Sequence, residues 1–165
     1  MKLKFAVTAA LAAAIATCVV GIAAAAKSAP GITFHLVEKD AGFNFVDNKP
    51  LGGKAHVASI GDMFAFTSSL WTKANKRTGS LYASCIVTSG GRHPISQCTG
   101  TFTLAGGQLA LQASIKDHTG KIPDHIAIVG GTGAYEGARG SVTSVSRGEN
   151  SPYSDDTVHL LPKSF

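Results

Sequence analysis

The sequence predicts an all-β domain, either a sandwich or a closed barrel, that follows an exported leader. Three segments alternate apolar and polar residues with a period of two: LYASCIV (81–87), ISQCTGTFTL (95–104) and QLALQASI (108–115). Such alternation is typical of strands with one buried face. Gly, Pro, Asn and Asp separate the segments, and no segment after the leader has the 3.6-residue apolar stripe of a helix. The pattern favours several short antiparallel strands in one domain.

The first 26 residues have the layout of a secretory signal peptide. Lys2 and Lys4 precede a long alanine-rich apolar run, and three alanines ending at Ala26 provide an A-x-A cleavage site. The run is also long enough to be an uncleaved membrane anchor, but its composition and cleavage site favour removal. We expect a signal peptide at 1–26 and a β-domain at 27–165, secreted or periplasmic, with no membrane attachment after cleavage.

The composition supports neither a nucleic-acid partner nor a metal site. The formal net charge of +5 falls to +3 once Lys2 and Lys4 are removed, and no run of Lys or Arg alternates with aromatic residues. The six histidines include no pair spaced i, i+2 or i, i+4, so a zinc signature is lacking. No G-x-S-x-G motif is present. We expect no zinc site and no hydrolase chemistry of the usual kinds.

Two cysteines, Cys85 and Cys98, remain after leader removal. An even count in an exported chain indicates a disulfide, and two separate buried thiols are the alternative. If Gly91 and Arg92 centre the hairpin between the two strands, Cys85 lies opposite Cys98 and both face the apolar side. A slip of one residue would place apolar side chains on opposite faces. The register therefore favours a Cys85–Cys98 bond across the ladder.

The next hairpin is predicted from the Gly106-Gly107 pair. A Gly-Gly dipeptide is a favoured two-residue loop. With that loop at the centre, Leu104 lies opposite Leu109 and Cys98 lies opposite Ile115. The apolar residues of all three strands then share one face.

Weaker patterns predict five more strands and one loop. The strands are GITFHLVEK (31–39), MFAFTSSLW (63–71), HIAIVGG (125–131), ARGSVTSVS (138–146) and DTVHLLP (156–162). The segment DAGFNFVDNKPLGGK (40–54) is predicted to be a long polar loop or an irregular hairpin.

The segment IVGGTGAYEGARGSV (128–142) contains five glycines. A dinucleotide-binding G-x-G-x-x-G beginning at Gly131 would require glycine where Glu136 stands, and a helix would have to follow. A Gly-Lys-Ser/Thr of a phosphate-binding loop is also lacking. The spacing instead suits a tight connection between strands, with Gly131 and Gly133 at positive φ.

This glycine segment resembles a signature of the dirigent proteins and the allene oxide cyclases. Tyr135-Glu136-Gly137-Ala138 is similar to the Phe-Glu-Gly-Ala of the cyclases, and Ala138-Arg139-Gly140 is similar to the Ala-Arg-Gly of the dirigent proteins. Weaker similarity in FHLVEKD, IGDMFAFTSSLW and TGSLYASCIV extends the resemblance over most of residues 31–161. The resemblance implies an eight-stranded antiparallel β-barrel, usually a homotrimer, with an apolar cavity and no metal or organic cofactor.

The resemblance also implies a kind of function. The cyclases close an unsaturated fatty-acid epoxide, and the dirigent proteins orient two phenoxy radicals. We therefore expect a barrel that binds a hydrophobic or phenolic small molecule and steers its cyclisation or coupling, as a cofactor-free isomerase. A binding or structural barrel without catalysis is the alternative. His35 and Val37 stand where the cyclases have Glu-x-Asn, and Ser80 and Gly133 stand where dirigent proteins have Arg and Asp, so neither reaction carries over.

Three residues are candidates for catalysis, each with a structural alternative. His35 is a general base if the interior is semi-polar, and a solvated side chain if it faces outwards. Asp62 is a pocket acid or a turn cap. Arg139 either binds an anionic or phenolic oxygen in the cavity or forms an ion pair with Glu136 or Asp62.

Aromatic strand residues are the candidates for ligand contact. They are Phe34, Phe66, Tyr82 and Tyr135. Ordinary packing in the sheet is the alternative role for each of them.

Overall fold

A computed structural model describes residues 30–48, 57–116 and 122–162, and shows a closed antiparallel barrel of eight strands. The strands are β1 (Ile32–Val46), β2 (Met63–Trp71), β3 (Arg77–Ser89), β4 (Ile95–Leu104), β5 (Gly107–Lys116), β6 (Asp124–Gly133), β7 (Gly140–Ser146) and β8 (Tyr153–Leu160). Strands that follow one another in the chain are neighbours in the barrel, and β8 pairs with β1 to close it. The predicted all-β class and eight-stranded barrel are confirmed.

The leader lies outside the part of the chain that the structure describes. The predicted signal peptide at 1–26 and much of the 40–54 segment fall there. Within the described ranges, no helix is long and apolar enough to cross a membrane.

The β3–β4 hairpin has the predicted register. Cys85 pairs with Cys98 and Leu81 pairs with Phe102. The two cysteines form a disulfide, and their Cα atoms are 4.1 Å apart. The predicted disulfide is therefore confirmed.

The β4–β5 hairpin differs from the prediction by two residues. Leu104 pairs with Gly107 rather than with Leu109, and Cys98 pairs with Ala113 rather than with Ile115. The turn is therefore formed one residue earlier than Gly106-Gly107. Gly107 belongs to the strand because β6 approaches it closely: a Cβ atom at Gly107 would lie 2.1 Å from the Thr132 carbonyl oxygen. A shift of two residues leaves every side chain on its predicted face.

Strand β1 is longer than predicted, and the interpretation of residues 40–46 as a loop is wrong. A bulge between Asp40 and Gly42 interrupts the β1–β2 ladder, which then continues to the Val46–Met63 pair. Phe43 and Phe45 lie opposite Phe66 and Phe64, so the segment alternates as a strand does despite its polar residues. Pairing with β8 ends earlier, at Lys39, and in the described part of the chain the end of β1 pairs with β2 alone.

The barrel interior has a packed half and a hollow half. The packed half lies at the end formed by the β2–β3, β4–β5 and β6–β7 connections. Its buried side chains are aliphatic: Leu36, Leu70, Leu109, Ile128, Val142, Val158 and Leu160. Towards the other end the inward positions become small, as at the Ala83–Gly100 pair, and a cavity forms.

The glycine segment closes the packed end. After β6 the chain turns inward, so that Tyr135 packs against the core and Ala138 is buried. Gly133 has a positive φ, as predicted, and its value is 62°. The prediction of a positive φ at Gly131 is wrong. A glycine is needed there because backbone packs closely against it: a Cβ atom at Gly131 would lie 2.3 Å from the Tyr135 carbonyl oxygen.

A substitution pair tests this close approach. Gly131→Ala should destabilise the fold by about 1–3 kcal/mol, since the added methyl group collides with backbone. Gly130→Ala should change stability by less than about 1 kcal/mol, since a Cβ atom at Gly130 meets nothing within 4 Å. Thermal unfolding followed by circular dichroism measures both. Equal stability of the two variants would contradict the packing described for this segment.

The disulfide makes a separate prediction about stability. It closes a loop with a sequence separation of 13, which corresponds to about 3 kcal/mol in the chain-entropy account. Replacing both Cys85 and Cys98 by alanine should lower the free energy of unfolding in urea by that order. Reduction of the native protein should have a comparable effect, and the double variant should not respond to reductant.

Candidate functional site

The hollow half contains a cavity of about 190 Å³. It lies towards the barrel end formed by the β1–β2, β3–β4, β5–β6 and β7–β8 connections. Leu81, Phe102 and Leu111 separate it from the packed half. The apolar part of its wall consists of Phe64, Phe66, Ala83, Ala113, Ile115, Ile126 and the Cys85–Cys98 disulfide.

Two carboxyl groups face this apolar wall from adjacent strands. Glu38 on β1 pairs with Ser154 of β8, and Asp156 on β8 pairs with Leu36 of β1. Because positions two apart on a strand share a face, Glu38 and Asp156 are diagonal neighbours inside the barrel. Both line the cavity.

Asp156 is buried without a regular hydrogen bond. Its side chain is 1% exposed, and among the described residues neither carboxylate oxygen has a hydrogen-bond partner. Burial raises the pKa of Asp156 to about 6, and the nearby Ser144 hydroxyl and Glu38 only partly oppose this rise. A buried carboxyl group without partners favours its neutral form, because ionisation in an apolar surrounding costs solvation energy.

The pKa of Glu38 is raised as well. Burial and then the charge of Asp156 raise the pKa of Glu38 to about 7, with a smaller contribution from Asp40. Ser68 is the nearest hydroxyl group and favours the ionised form, although its oxygen forms no regular hydrogen bond in the described structure. Two like charges in one apolar site resist simultaneous ionisation, so at neutral pH the pair holds about one proton.

The three predicted catalytic residues lie away from this cavity. His35 is exposed on the outer face of β1, where its Nδ1 lies 3.2 Å from the Thr157 hydroxyl. Arg139 is exposed in the connection at the packed end, and its backbone carbonyl accepts a hydrogen bond from Leu161. Arg147 forms a side-chain ion pair with Asp155, at 2.8 Å.

Asp62 is buried in the turn that precedes β2. Its carboxylate accepts hydrogen bonds from the backbone amide of Asn48 at 2.8 Å and from that of Ser59 at 2.7 Å. These donors, with Ser59 first, lower the pKa of Asp62. The geometry is that of a turn cap that holds the start of β2 beside the end of β1.

Of the four predicted ligand contacts, one lines the cavity. Phe66 does so, with Phe64 beside it at a ring-centroid distance of 6.4 Å. Tyr82 faces outwards and is 55% exposed. Phe34 and Tyr135 line a separate groove at the packed end.

The sequence reasoning missed both carboxyl groups of the cavity. A usable signal was present, because Glu38 continues the alternation of Phe34 and Leu36, and Asp156 continues that of Val158 and Leu160. An acidic residue on the apolar side of a strand pattern indicates a charge directed into the core. In the described structure no three His, Cys, Asp or Glu side chains group as a metal site.

A small closed antiparallel barrel with one packed and one hollow half is an architecture in which a cavity for one small molecule is common. A family model described as "Allene oxide cyclase barrel like domain" matches residues 44–155. That match covers more than half of the chain, and the chain belongs to this family. The resemblance predicted from the glycine segment is confirmed.

Solved structures share the fold. A pyocyanin demethylase is 25% identical and has a TM-score of 0.67, with 78% of this chain and 99% of that chain covered. The pterocarpan synthase dirigent protein PsPTS1 is 18% identical with a TM-score of 0.63, covering 84% and 99%. AbnU, an exo-specific intermolecular Diels-Alderase, is 11% identical with a TM-score of 0.56, covering 78% and 96%. No significant match was found among curated protein sequences.

The raised carboxyl pKa values predict how stability depends on pH. The folded protein binds these protons more tightly than the unfolded chain, so stability should fall as pH rises from about 4 to about 7. For Asp156, a shift from 3.8 to about 6 corresponds to on the order of 2–3 kcal/mol. Asp156→Asn should therefore be more stable than the wild type at pH 8, and the gain should shrink towards pH 4.

Urea unfolding across this pH range measures the effect, with Asp155→Asn as the control. Asp155 is the next residue on the same strand, but it is exposed and paired with Arg147. Its substitution should give no gain at pH 8, because it removes a surface ion pair worth at most about 1 kcal/mol. A wild-type protein whose stability advantage over Asp156→Asn grows with pH would contradict the assignment.

Proposed function

We propose that this protein is an exported barrel that binds a hydrophobic or phenolic small molecule in its hollow half and steers the cyclisation or coupling of that molecule. The observation that carries the proposal is the apolar cavity with the Glu38–Asp156 pair in its wall. The dirigent protein and the Diels-Alderase that share the fold support a steering role, as does membership of the family.

The cavity suits a compact reactant. An apolar cavity of about 150 Å³ is enough to hold a benzene molecule, so 190 Å³ accommodates one ring with a short substituent. The aromatic rings of Phe64 and Phe66 line one side. Such walls favour one orientation of a flat reactant, and holding a reactant near its reactive conformation lowers the barrier to ring closure or coupling.

The carboxyl pair supplies a proton donor and acceptor in the same space. A group is most useful for acid–base catalysis when its pKa lies near the working pH. Glu38, raised to about 7, and Asp156, raised to about 6, meet that condition. In the proposed reaction one carboxyl group donates a proton to a developing anion or quinone oxygen, and its ionised neighbour accepts one from a hydroxyl group.

A barrel that binds the molecule without converting it is the second candidate. The same cavity supports it, since binding requires only the apolar wall and complementary polar groups. Phe66 remains a proposed ligand contact in both cases. His35, Asp62 and Arg139 have no part in the proposed chemistry, because their side chains do not line the cavity.

Export and assembly belong to the proposal as well. A cleaved signal peptide at 1–26 would deliver the domain at 27–165 to the periplasm or the medium, where a disulfide persists. A homotrimer is supported by a row of exposed apolar side chains on the outer face, formed by the cross-strand neighbours Val46, Met63 and Ile86.

Turnover tests the steering function. The protein is incubated with an allylic epoxide and, separately, with a source of phenoxy radicals, and the enantiomers of the products are measured. We expect an enantiomeric excess with the wild type and its loss in Ala113→Leu, which fills the cavity from β5. Ala127→Leu is the control, because Ala127 is exposed on the outer face of β6, and it should behave as the wild type does.

The results of this experiment distinguish a barrel that steers a reaction from one that only binds the molecule. Racemic, unaccelerated products from both substrate classes, together with a ring ligand that binds the wild type but not Ala113→Leu, would support the non-catalytic barrel. Products steered equally by Ala113→Leu and the wild type would overturn the assignment to this cavity.

A further inference from the structure

The charged side chains among the described lining residues of the cavity are all acidic. Glu38, Asp124 and Asp156 line it, whereas no Lys, Arg or His lies among its described lining residues. The chain as a whole carries a formal charge of +5, so the acidic character is local. Asp124 makes other contacts at the rim, and the inference rests on the inner pair.

Asp156 provides the second, independent observation. The residue is 1% exposed, both carboxylate oxygens lack a hydrogen-bond partner among the described residues, and the residue lines the cavity. Buried polar groups in native proteins are almost always paired, and an unpaired buried carboxylate is costly. Nearby side chains give it carboxyl and hydroxyl neighbours but no cation. A donor that enters the cavity would supply the hydrogen bonds that the described residues do not.

We propose that the molecule held in the cavity is a cation: a flat apolar ring that carries a protonated nitrogen, whose N–H groups donate to Asp156 and Glu38. This inference rests on the proposed small-molecule function and names the charge class of its ligand. Charge-assisted hydrogen bonds to two carboxylates are strong in an apolar site. The faces of Phe64 and Phe66 attract the positive ring by cation–π interaction.

Binding of such a cation is coupled to a proton. The groups that act on the pair are Asp40 from β1 and Asp155 from β8, with neutral hydroxyl groups of Ser68 from β2 and Ser144 from β7. None of these is a cation, so at neutral pH a bound proton offsets part of the negative charge of the Glu38–Asp156 pair. An entering cation favours the ionised pair and displaces that proton. Affinity for a cation should therefore rise from pH 5 to pH 8, and affinity for a neutral ring should not.

Calorimetry with three one-ring probes tests the proposal. Benzamidine is a planar cation throughout pH 5–8, benzamide is its neutral counterpart, and phenol represents a neutral hydroxyl ligand. At pH 8 we expect benzamidine to bind the wild type at least tenfold more tightly than either neutral probe. The preference should fall at least tenfold at pH 5, and titrations in buffers of different ionisation enthalpy should show proton release near pH 7.

Substitutions test which residues produce the preference for benzamidine over the neutral probes. Asp156→Asn should abolish the preference for benzamidine while it retains phenol binding, which also shows that the variant has folded. Glu38→Gln should weaken the preference. Ala127→Leu, at an exposed position on the outer face of β6, should leave it unchanged. Ala113→Leu should reduce binding of all three probes.

The failures of the two proposals are distinguishable. Binding of phenol with equal or weaker binding of benzamidine would overturn the cationic ligand and leave the small-molecule barrel intact. Benzamidine binding that is indifferent to Asp156→Asn would also overturn it. Tight, Asp156-dependent benzamidine binding without steering of any product would support the cationic ligand and overturn the steering function. A folded wild type that binds none of the probes would overturn both.

Discussion

The β1–β8 ladder is the interaction on which the rest of the molecule depends. Its eight pairs, from Ile32–Leu160 to Lys39–Tyr153, join the two ends of the sheet and remove both of its edges there. They also set two acidic side chains from opposite ends of the chain beside each other. Without that closure Glu38 and Asp156 would lie on the two outer strands of an open sheet, both solvated.

Side-chain size divides the interior that this ladder encloses. Mostly leucine, valine and isoleucine fill one half, and Tyr135 packs against them. In the other half several inward positions hold alanine, glycine or serine. An eight-stranded barrel is only just wide enough to be filled by side chains, so a change from leucine to alanine or glycine at a few inward positions is sufficient to create a cavity.

Period-two alternation predicted most of the fold. Strand β2 and strand β4 have the bounds expected from the sequence, and the disulfide follows from one hairpin register. The departures have a tertiary cause. The β4–β5 turn is displaced because β6 approaches Gly107. Strand β1 extends to Val46 because Phe43 and Phe45 lie opposite aromatic residues of β2. Neither contact can be inferred from local sequence.

The site was less predictable than the fold, for a physical reason. A single strand pattern shows which face a residue is on, but not whether that face is packed or hollow at that depth. His35 has the residue type of a general base, but its position on β1 directs it outwards. Glu38 lies on the same strand but points inwards, and burial, followed by the charge of Asp156 on β8, raises the pKa of Glu38 to about 7.

The position of the disulfide has a consequence for how the protein is handled. The bond forms part of the cavity wall rather than a tie on the outer surface. A preparation obtained from a reducing cytosol would carry two thiol groups at that wall and a cavity of altered shape, even if the barrel itself assembled. Ligand screens are therefore meaningful only on material whose oxidation state has been verified by mass.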